Sequence, residues 1–267
     1  MSQGKTFGKY VVTKLLRKQG DYVSIFLSTM KDGDKPFELH VLKHAVNERS
    51  PDFQRFLNEF QTLAGLEHPN IVKVTDMGMV DNKAYYATPH SGAKPLSELI
   101  GGGKKFTIEE TVNVGLQVAE AMIYLHGKKV LHRDIGPDSV YYHDAFKRAI
   151  ISGFALVKNF RLTNLTARGL MTPTEMRVTP EQVEDLPYSE RTDIYLLGDL
   201  LYWMLTERTA LTLDFSPEKP SVHNSEIPAA LDKTIMRMLK KEPDSRIQTA
   251  QEVAKSLKAS LAPPEED

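Results

Sequence analysis

Residues 130–142 read VLHRDIGPDSVYY. Asp134 in this stretch is a carboxylate next to His132 and Arg133, a group that could take a proton as a general base. Beyond it the chemistry thins: Gly136 offers no side chain and Ser139 only a hydroxyl. A second set of polar candidates lies upstream, in FELHVLKH, where Glu38 and His40 fall. His40 and His44 are four residues apart, but that spacing brings two ligands to one side only on a helix. This segment reads as a strand, so no metal pair is expected. If the helix that carries Glu59 is swung inward, His40 and Glu59 form a candidate pH-sensitive couple, since histidine changes charge near neutral pH.

The elements that must position these groups are legible in outline. The first 90 or so residues read as strands with one helix. KYVVTKLL and YVSIFLSTM are rich in β-branched and aromatic residues, KDGDKP is a turn cluster, and FELHVLKH alternates. A helix is predicted to open at Ser50-Pro51, with Phe53, Phe56, Leu57, Phe60, Leu63 and Leu66 as its apolar stripe. From about residue 105 the chain turns helical. Thr107 and Glu110 form a capping-box pattern, and Val112, Leu116, Ala119 and Ile123 follow at helical spacing up to Gly127. Residues 130–157 return to short strands, and further helices are predicted at 193–206, 228–240 and 250–260. Residues 1–90 and 91–260 thus divide into a small β-rich lobe and a larger helical lobe, with 261–267, ending in APPEED, as a tail or linker.

Composition removes whole classes of function. Among 267 residues there is no cysteine, which excludes disulfides, thiolate catalysis and cysteine-ligated zinc. The 34 Lys+Arg and 35 Asp+Glu nearly cancel, so no basic excess suggests nucleic acid. No stretch has signal-peptide or membrane-spanning character; IYLLGDLLYWML is broken by Gly198 and Asp199 and reads as a buried helix. A cytoplasmic location is expected.

Three segments then fall in order: HPNIV after the first helix, HRDIGP after the long one, and TPEQ with YSERTDIYLLGDLLYWML further on. Together this array resembles the eukaryotic-type Ser/Thr protein kinase domain, particularly its bacterial branch, over roughly residues 8–260. The resemblance implies an α+β fold with an antiparallel β-rich lobe and a mainly helical lobe. It assigns Glu59 to the conserved glutamate of the first helix, and His132, Arg133 and Asp134 to the catalytic loop. It assigns Phe154 to the centre of the metal-binding triplet, and Pro180 and Glu181 to the end of the activation segment. Asp193 opens the central buried helix, and Arg246 is the expected partner of Glu181.

The positions that would handle phosphate and metal depart from that pattern. At the three glycine positions of the phosphate loop stand Lys18, Gly20 and Val23. The strand that should read Val-Ala-Ile-Lys has His40 at the lysine and Glu38 at the alanine, where a carboxylate must be desolvated or repel a nucleotide. Lys43 lies an odd number of residues from His40, on the opposite face of the strand, and cannot substitute. Ser139 replaces the metal-binding asparagine, Gly136 the loop lysine, and Gly153 the aspartate of the triplet. Asp138 adjoins the site with no reason to point inward, and Tyr141 stands where an aliphatic residue would underlie adenine. Arg177 and Thr179 depart from the substrate-docking pattern.

A pseudokinase is therefore expected: a catalytically inactive kinase-like domain that regulates or scaffolds by binding a protein. That partner would be another kinase, a phosphopeptide-reading domain or a domain of the same polypeptide. No cofactor is expected, and Mg-ATP binding should be weak or absent. The alternatives are an atypical Ser/Thr kinase with residual transfer through Asp134, or nucleotide binding without turnover. Thr163, Thr166, Thr172 and Thr174 are candidate phosphorylation sites that would pair with Arg133.

Overall fold

The structure, a computed structural model, describes residues 4–19, 23–42, 60–61, 64–152, 179–210 and 215–261. Two compact units meet in sequence between Ala93 and Lys94. The first holds a six-stranded antiparallel sheet in the order β1-β2-β3-β4-β6-β5. Its strands are β1 (Thr6–Phe7), β2 (Tyr10–Gln19), β3 (Val23–Met30), β4 (Gly33–Leu42), β5 (Asp76–Val80) and β6 (Lys83–Pro89). β4 starts at Gly33, inside the predicted turn cluster, because the reversal needs only Lys31 and Asp32.

Alternation along β4 sorts the sheet's two faces. Leu39 and Val41 join Phe7, Tyr10, Val12, Phe26, Tyr85 and Ala87 in one apolar cluster. Glu38 and His40 take the intervening positions and so lie on the other face. Register shifts in β2 between Val12 and Lys14 and between Leu15 and Arg17 change which of its side chains share a face with β4. β5 and β6 are joined through Asp81 and Asn82, both left-handed (φ 51° and 57°), as a tight hairpin between right-twisted strands requires. The Tyr85 hydroxyl occupies space that two glycines leave open. A Cβ on Gly8 would lie 2.3 Å from it, and one on Gly78 2.7 Å.

The second unit opens with β7 (Lys94–Pro95), α1 (Leu96–Gly101) and α2 (Ile108–Gly127). The predicted capping box starts α2. Glu110 N–H donates to Thr107 Oγ1 (3.1 Å), and Thr107 N–H to the Glu110 carboxylate (3.2 Å). β8 (Val140–His143) and β9 (Arg148–Ile151) complete a small sheet with β7. Gln117 on α2 lies along the outer edge of β9, donating to the Lys147 carbonyl (2.9 Å) and accepting from Ala149 N–H (2.8 Å). Helices α3 (Pro180–Val183), α4 (Glu190–Thr206), α5 (Pro220–His223), α6 (Ala229–Met238) and α7 (Ala250–Ala259) follow.

α4 is the buried centre of this unit, as its near-continuous apolar sequence predicts. Its two interruptions both have structural uses. Gly198 lets α6 approach so closely that a Cβ would lie 2.9 Å from Met238, and Asp199 accepts from Thr209 Oγ1 (3.0 Å) and Ala210 N–H (2.9 Å). Among the described residues no helix is long and apolar enough to cross a membrane.

Candidate functional site

The predicted site residues fall in both units. In the first, the strand predicted to carry a lysine is β4. His40 is paired across the sheet with Ile25 on one side and Tyr86 on the other. Its ring stacks on Tyr86 with centroids 4.4 Å apart and planes 11° from parallel. Only 3% of the residue is exposed. Burial, reinforced by the nearby positive charge of Arg17, pushes the imidazole down to about 3 from its ordinary value of 6.5. It is therefore neutral at physiological pH; Glu59, its expected partner in a titrating couple, lies outside the described residues.

Of the two outcomes open to Glu38, the structure takes desolvation with compensation. Its carboxylate is buried, accepting from Arg17 Nη2 on Oε2 (2.7 Å) while Oε1 lies 2.8 Å from His90 Nδ1. His40 Nε2 is 4.0 Å away. A buried carboxylate needs such partners, and here they come from β2 and from the residue after β6. Arg17 and His90 were not anticipated from sequence. The signal present was a lone carboxylate in an apolar strand, which demands a cation without saying which. Of the phosphate-loop positions, Lys18 is exposed and Val23 buried. Gly20, Lys43, His44 and Glu59 lie outside the described residues, as do Phe53, Phe56, Leu57 and Leu63.

In the second unit, α4 holds the loop that carries Asp134. Asp193, fully buried, accepts the backbone N–H groups of His132 (2.9 Å, Oδ2) and Arg133 (2.7 Å, Oδ1). Oδ2 also lies 2.9 Å from His126 Nε2 at the end of α2. Three bonds on one carboxylate thus fix where the loop leaves the helix. His132 ties the loop to the following segment: its Nδ1 accepts from Asp134 N–H, so the proton sits on Nε2 and is donated to the Ser152 carbonyl, each at 3.2 Å. Arg133 adopts a left-handed backbone (φ 65°), a conformation that costs a non-glycine residue about 1–2 kcal/mol. Its guanidinium sits 5.6 Å from the centre of the Tyr188 ring.

Ser139 turns back into its own loop. Its hydroxyl accepts from Gly136 N–H (2.9 Å) and donates to the Asp134 carbonyl (2.5 Å), with the Gly136 carbonyl at 3.2 Å. With 2% exposure, this oxygen acts as an internal staple. Asp138, exposed, accepts from Ser97 Oγ at the start of α1 (2.6 Å). Tyr141 is buried in β8 between Pro95 and Ile150. Asp134 is half-buried on the same loop. Gly153, Phe154, Arg177, Thr163, Thr166, Thr172 and Thr174 lie outside the described residues.

Glu181 and Arg246 meet in the core of this unit. Arg246 donates from Nη1 to Oε1 (2.6 Å) and from Nη2 to Oε2 (3.1 Å), a two-pronged bond with both side chains 1% exposed or less. Thr192 Oγ1 also donates to Glu181 (2.9 Å), and Arg246 donates to the carbonyls of Lys240, Lys241 and Arg191. Burial alone would push the Glu181 carboxyl up, but the hydrogen bonds and charge of Arg246 outweigh it and hold it below the usual range.

Known proteins match both the sequence and this architecture. The sequence profile of the protein kinase domain matches residues 18–258. The probable serine/threonine-protein kinase SCO3848 of Streptomyces coelicolor is 31% identical over 230 residues, which cover 80% of this chain and 34% of that protein. Serine/threonine-protein kinase PrkC of Bacillus subtilis is 24% identical over 265 residues, covering 95% of this chain and 41% of that one. PknJ of Mycobacterium tuberculosis is 27% identical over 278 residues, covering 98% and 47%. The chain thus spans between a third and a half of the length of these relatives. Among solved structures, the kinase domain of M. tuberculosis PknI superposes with a TM-score of 0.80 at 21% identity, covering 97% of this chain and 98% of that one, a likeness of fold. With a β-sheet unit, a helical unit and a matching profile along nearly its whole length, the chain belongs to the protein kinase domain family.

Proposed function

We propose that this domain is a pseudokinase, catalytically inactive, that regulates or scaffolds by binding a protein. The observation that carries the reading is the β4 pair Glu38 and His40. In active members of the family a lysine at the His40 position reaches the nucleotide phosphates, and phosphoryl transfer depends on neutralising their charge. An imidazole that stays neutral down to about pH 3 supplies no such charge. Arg17, on the same face, already has its charge balanced by Glu38.

The loop around Asp134 supports the same reading. Ser139 engages its hydroxyl with Gly136 and Asp134, and Gly153 has no side chain to offer magnesium. The groups that organise the fold, Asp193, Glu181 and Arg246, keep full sets of partners. Mg-ATP binding is then weak or absent, and the partner is another kinase, a phosphopeptide-reading domain or a domain of a longer polypeptide in the cytoplasm. Neither nucleic acid nor membrane enters this reading.

Thermal melts with millimolar ATP or ADP, with and without Mg²⁺ or Mn²⁺, test it. A nucleotide at a hundred times its Kd adds about 2.7 kcal/mol of stability. In a domain of this size that raises Tm by roughly 5–10 °C. No shift is expected. Labelled phosphate transfer from ATP should stay at background in the wild type and in Asp134→Asn alike. Transfer that is present in the wild type and lost in the variant would overturn the reading and establish an atypical Ser/Thr kinase using Asp134.

A further inference from the structure

α6 and α7 each bury one face and leave the other to water. Leu231, Ile235 and Met238 of α6 and Val253 and Leu257 of α7 are buried. Both helices lie against α4 and against each other, so their outward faces adjoin. Those faces carry charge of one sign. Lys233 and Arg237 are exposed on α6, Lys240 just past its end, and Lys255 and Lys258 on α7. None of these cations has a counter-ion among the described residues.

The acids of the two helices are already engaged. Asp232 is buried and accepts from Ser221 N–H (3.0 Å), and the Glu252 carboxylate accepts from Gln248 N–H (3.1 Å). Beyond α6, Glu242 and Glu184 both act on Lys241, with Glu184 2.7 Å from its Nζ. By contrast, Lys94, Lys104, Lys105 and Lys147 of the same unit each lie 2.6–2.9 Å from a carboxylate. A chain whose 34 basic and 35 acidic residues nearly cancel thus gathers uncompensated positive charge on one helix pair.

The core holds that surface in place. Arg246, bound to Glu181, donates to the carbonyls of Lys240 and Lys241 (2.7 Å each). Lys233 and Arg237 are four residues apart and Lys255 and Lys258 three, so each pair stands one above the other, about 5–6 Å apart along its helix. Carboxylates repeated at one helical turn on a partner match that spacing. Neither helix exposes a large apolar side chain to enter a lipid surface, or an aromatic one on which bases could stack.

We propose that the outer face of α6 and α7 docks an acidic segment of a partner protein, one that presents Asp or Glu at helical-turn spacing. The proposal rests on the reading of the domain as a protein-binding module and not on its catalytic silence, which the nucleotide melts test separately.

An amide NMR titration tests it, with an alanine-based helical peptide of about 16 residues carrying Glu at i,i+4 spacing as the probe. The peptide should shift the amides of α6 and α7 saturably, and less so at higher salt. The same peptide with Gln for Glu should shift none of them. Lys233→Glu/Arg237→Glu should weaken the apparent Kd about 10-fold, because two attractive pairs become repulsive. Lys31→Glu/Lys35→Glu, which changes the net charge equally at exposed positions of the other unit, should leave it unaltered. Shifts confined to residues outside α6 and α7, or a Kd indifferent to Lys233→Glu/Arg237→Glu, would overturn the proposal. So would tighter binding, lost in that variant, to phosphatidylcholine vesicles with about 30% phosphatidylserine or to a DNA duplex of about 20 base pairs; either would make the face a membrane or nucleic-acid site instead.

Discussion

His40 makes acid sensitivity a direct reading of how the β4 face is built. The perturbation is acidification of the wild type against His40→Phe. The variant keeps an aromatic ring on Tyr86 and removes only the titrating atoms, of which Nδ1 has no hydrogen-bond partner and Nε2 is 4.0 Å from Glu38. In the unfolded chain the imidazole takes a proton near its ordinary 6.5, and in the folded protein only near 3. Between those limits the unfolded state binds more protons, so this contribution is fully present above 6.5 and is lost as the pH falls toward 3. At about 1.4 kcal/mol for each pH unit below the unfolded value, the wild type should lose about 2 kcal/mol by pH 5 through this group alone. Urea denaturation of both proteins from about pH 7.5 to 5 measures it, because the carboxylates they share cancel in the difference. The two stability curves should therefore diverge by about 2 kcal/mol, with the variant the flatter. Parallel curves would mean that His40 titrates in the folded protein as it does in the unfolded chain, and divergence of the opposite sign that it is held charged; either would remove the main support for a phosphate-blind β4.

Other substitutions probe the remaining devices. Arg246→Met leaves Glu181 as a buried carboxylate without its ion-pair partner and should cost about 3–5 kcal/mol in urea denaturation. The loss should shrink in acid: the depressed Glu181 contributes stability above its ordinary 4.5, and that contribution disappears as the pH falls through its lower folded value. Gly8→Ala forces a Cβ to within 2.3 Å of the Tyr85 hydroxyl and should be strongly destabilising. In a Tyr85→Phe background the nearest clash is gone, and the residual cost should fall to the about 1–2 kcal/mol of a left-handed alanine. A thermal-melt cycle over the four proteins detects that coupling. Ser139→Ala orphans the buried Gly136 N–H and should lower stability by about 1–3 kcal/mol, with circular dichroism melts as the readout.

Local rules made much of the fold readable. The capping box at Thr107 and Glu110 set the start of α2, and alternation in FELHVL placed Glu38 and His40 on one face of a strand. The hairpin between β5 and β6 went unmarked because Asp-Asn is a weaker turn signal than a glycine pair, although both residues tolerate the left-handed geometry it uses. The site was readable in its residue types and unreadable in its contacts. Arg17 and His90 lie 21 and 52 residues from Glu38, and their meeting depends on the register shifts of β2 and on the exact end of β6. Likewise, the type of Ser139 shows it to be a poor magnesium ligand, but only the bonded loop shows its hydroxyl turned inward.

Gln117 has one further consequence. Among the described residues β9 is the last strand of its sheet, and such an edge offers bare N–H and C=O groups on which another chain can nucleate a strand. By pairing with Lys147 O and Ala149 N–H, one amide side chain mimics the next strand and ends the ladder there. The domain is thereby shielded, at this edge, from unselective self-assembly.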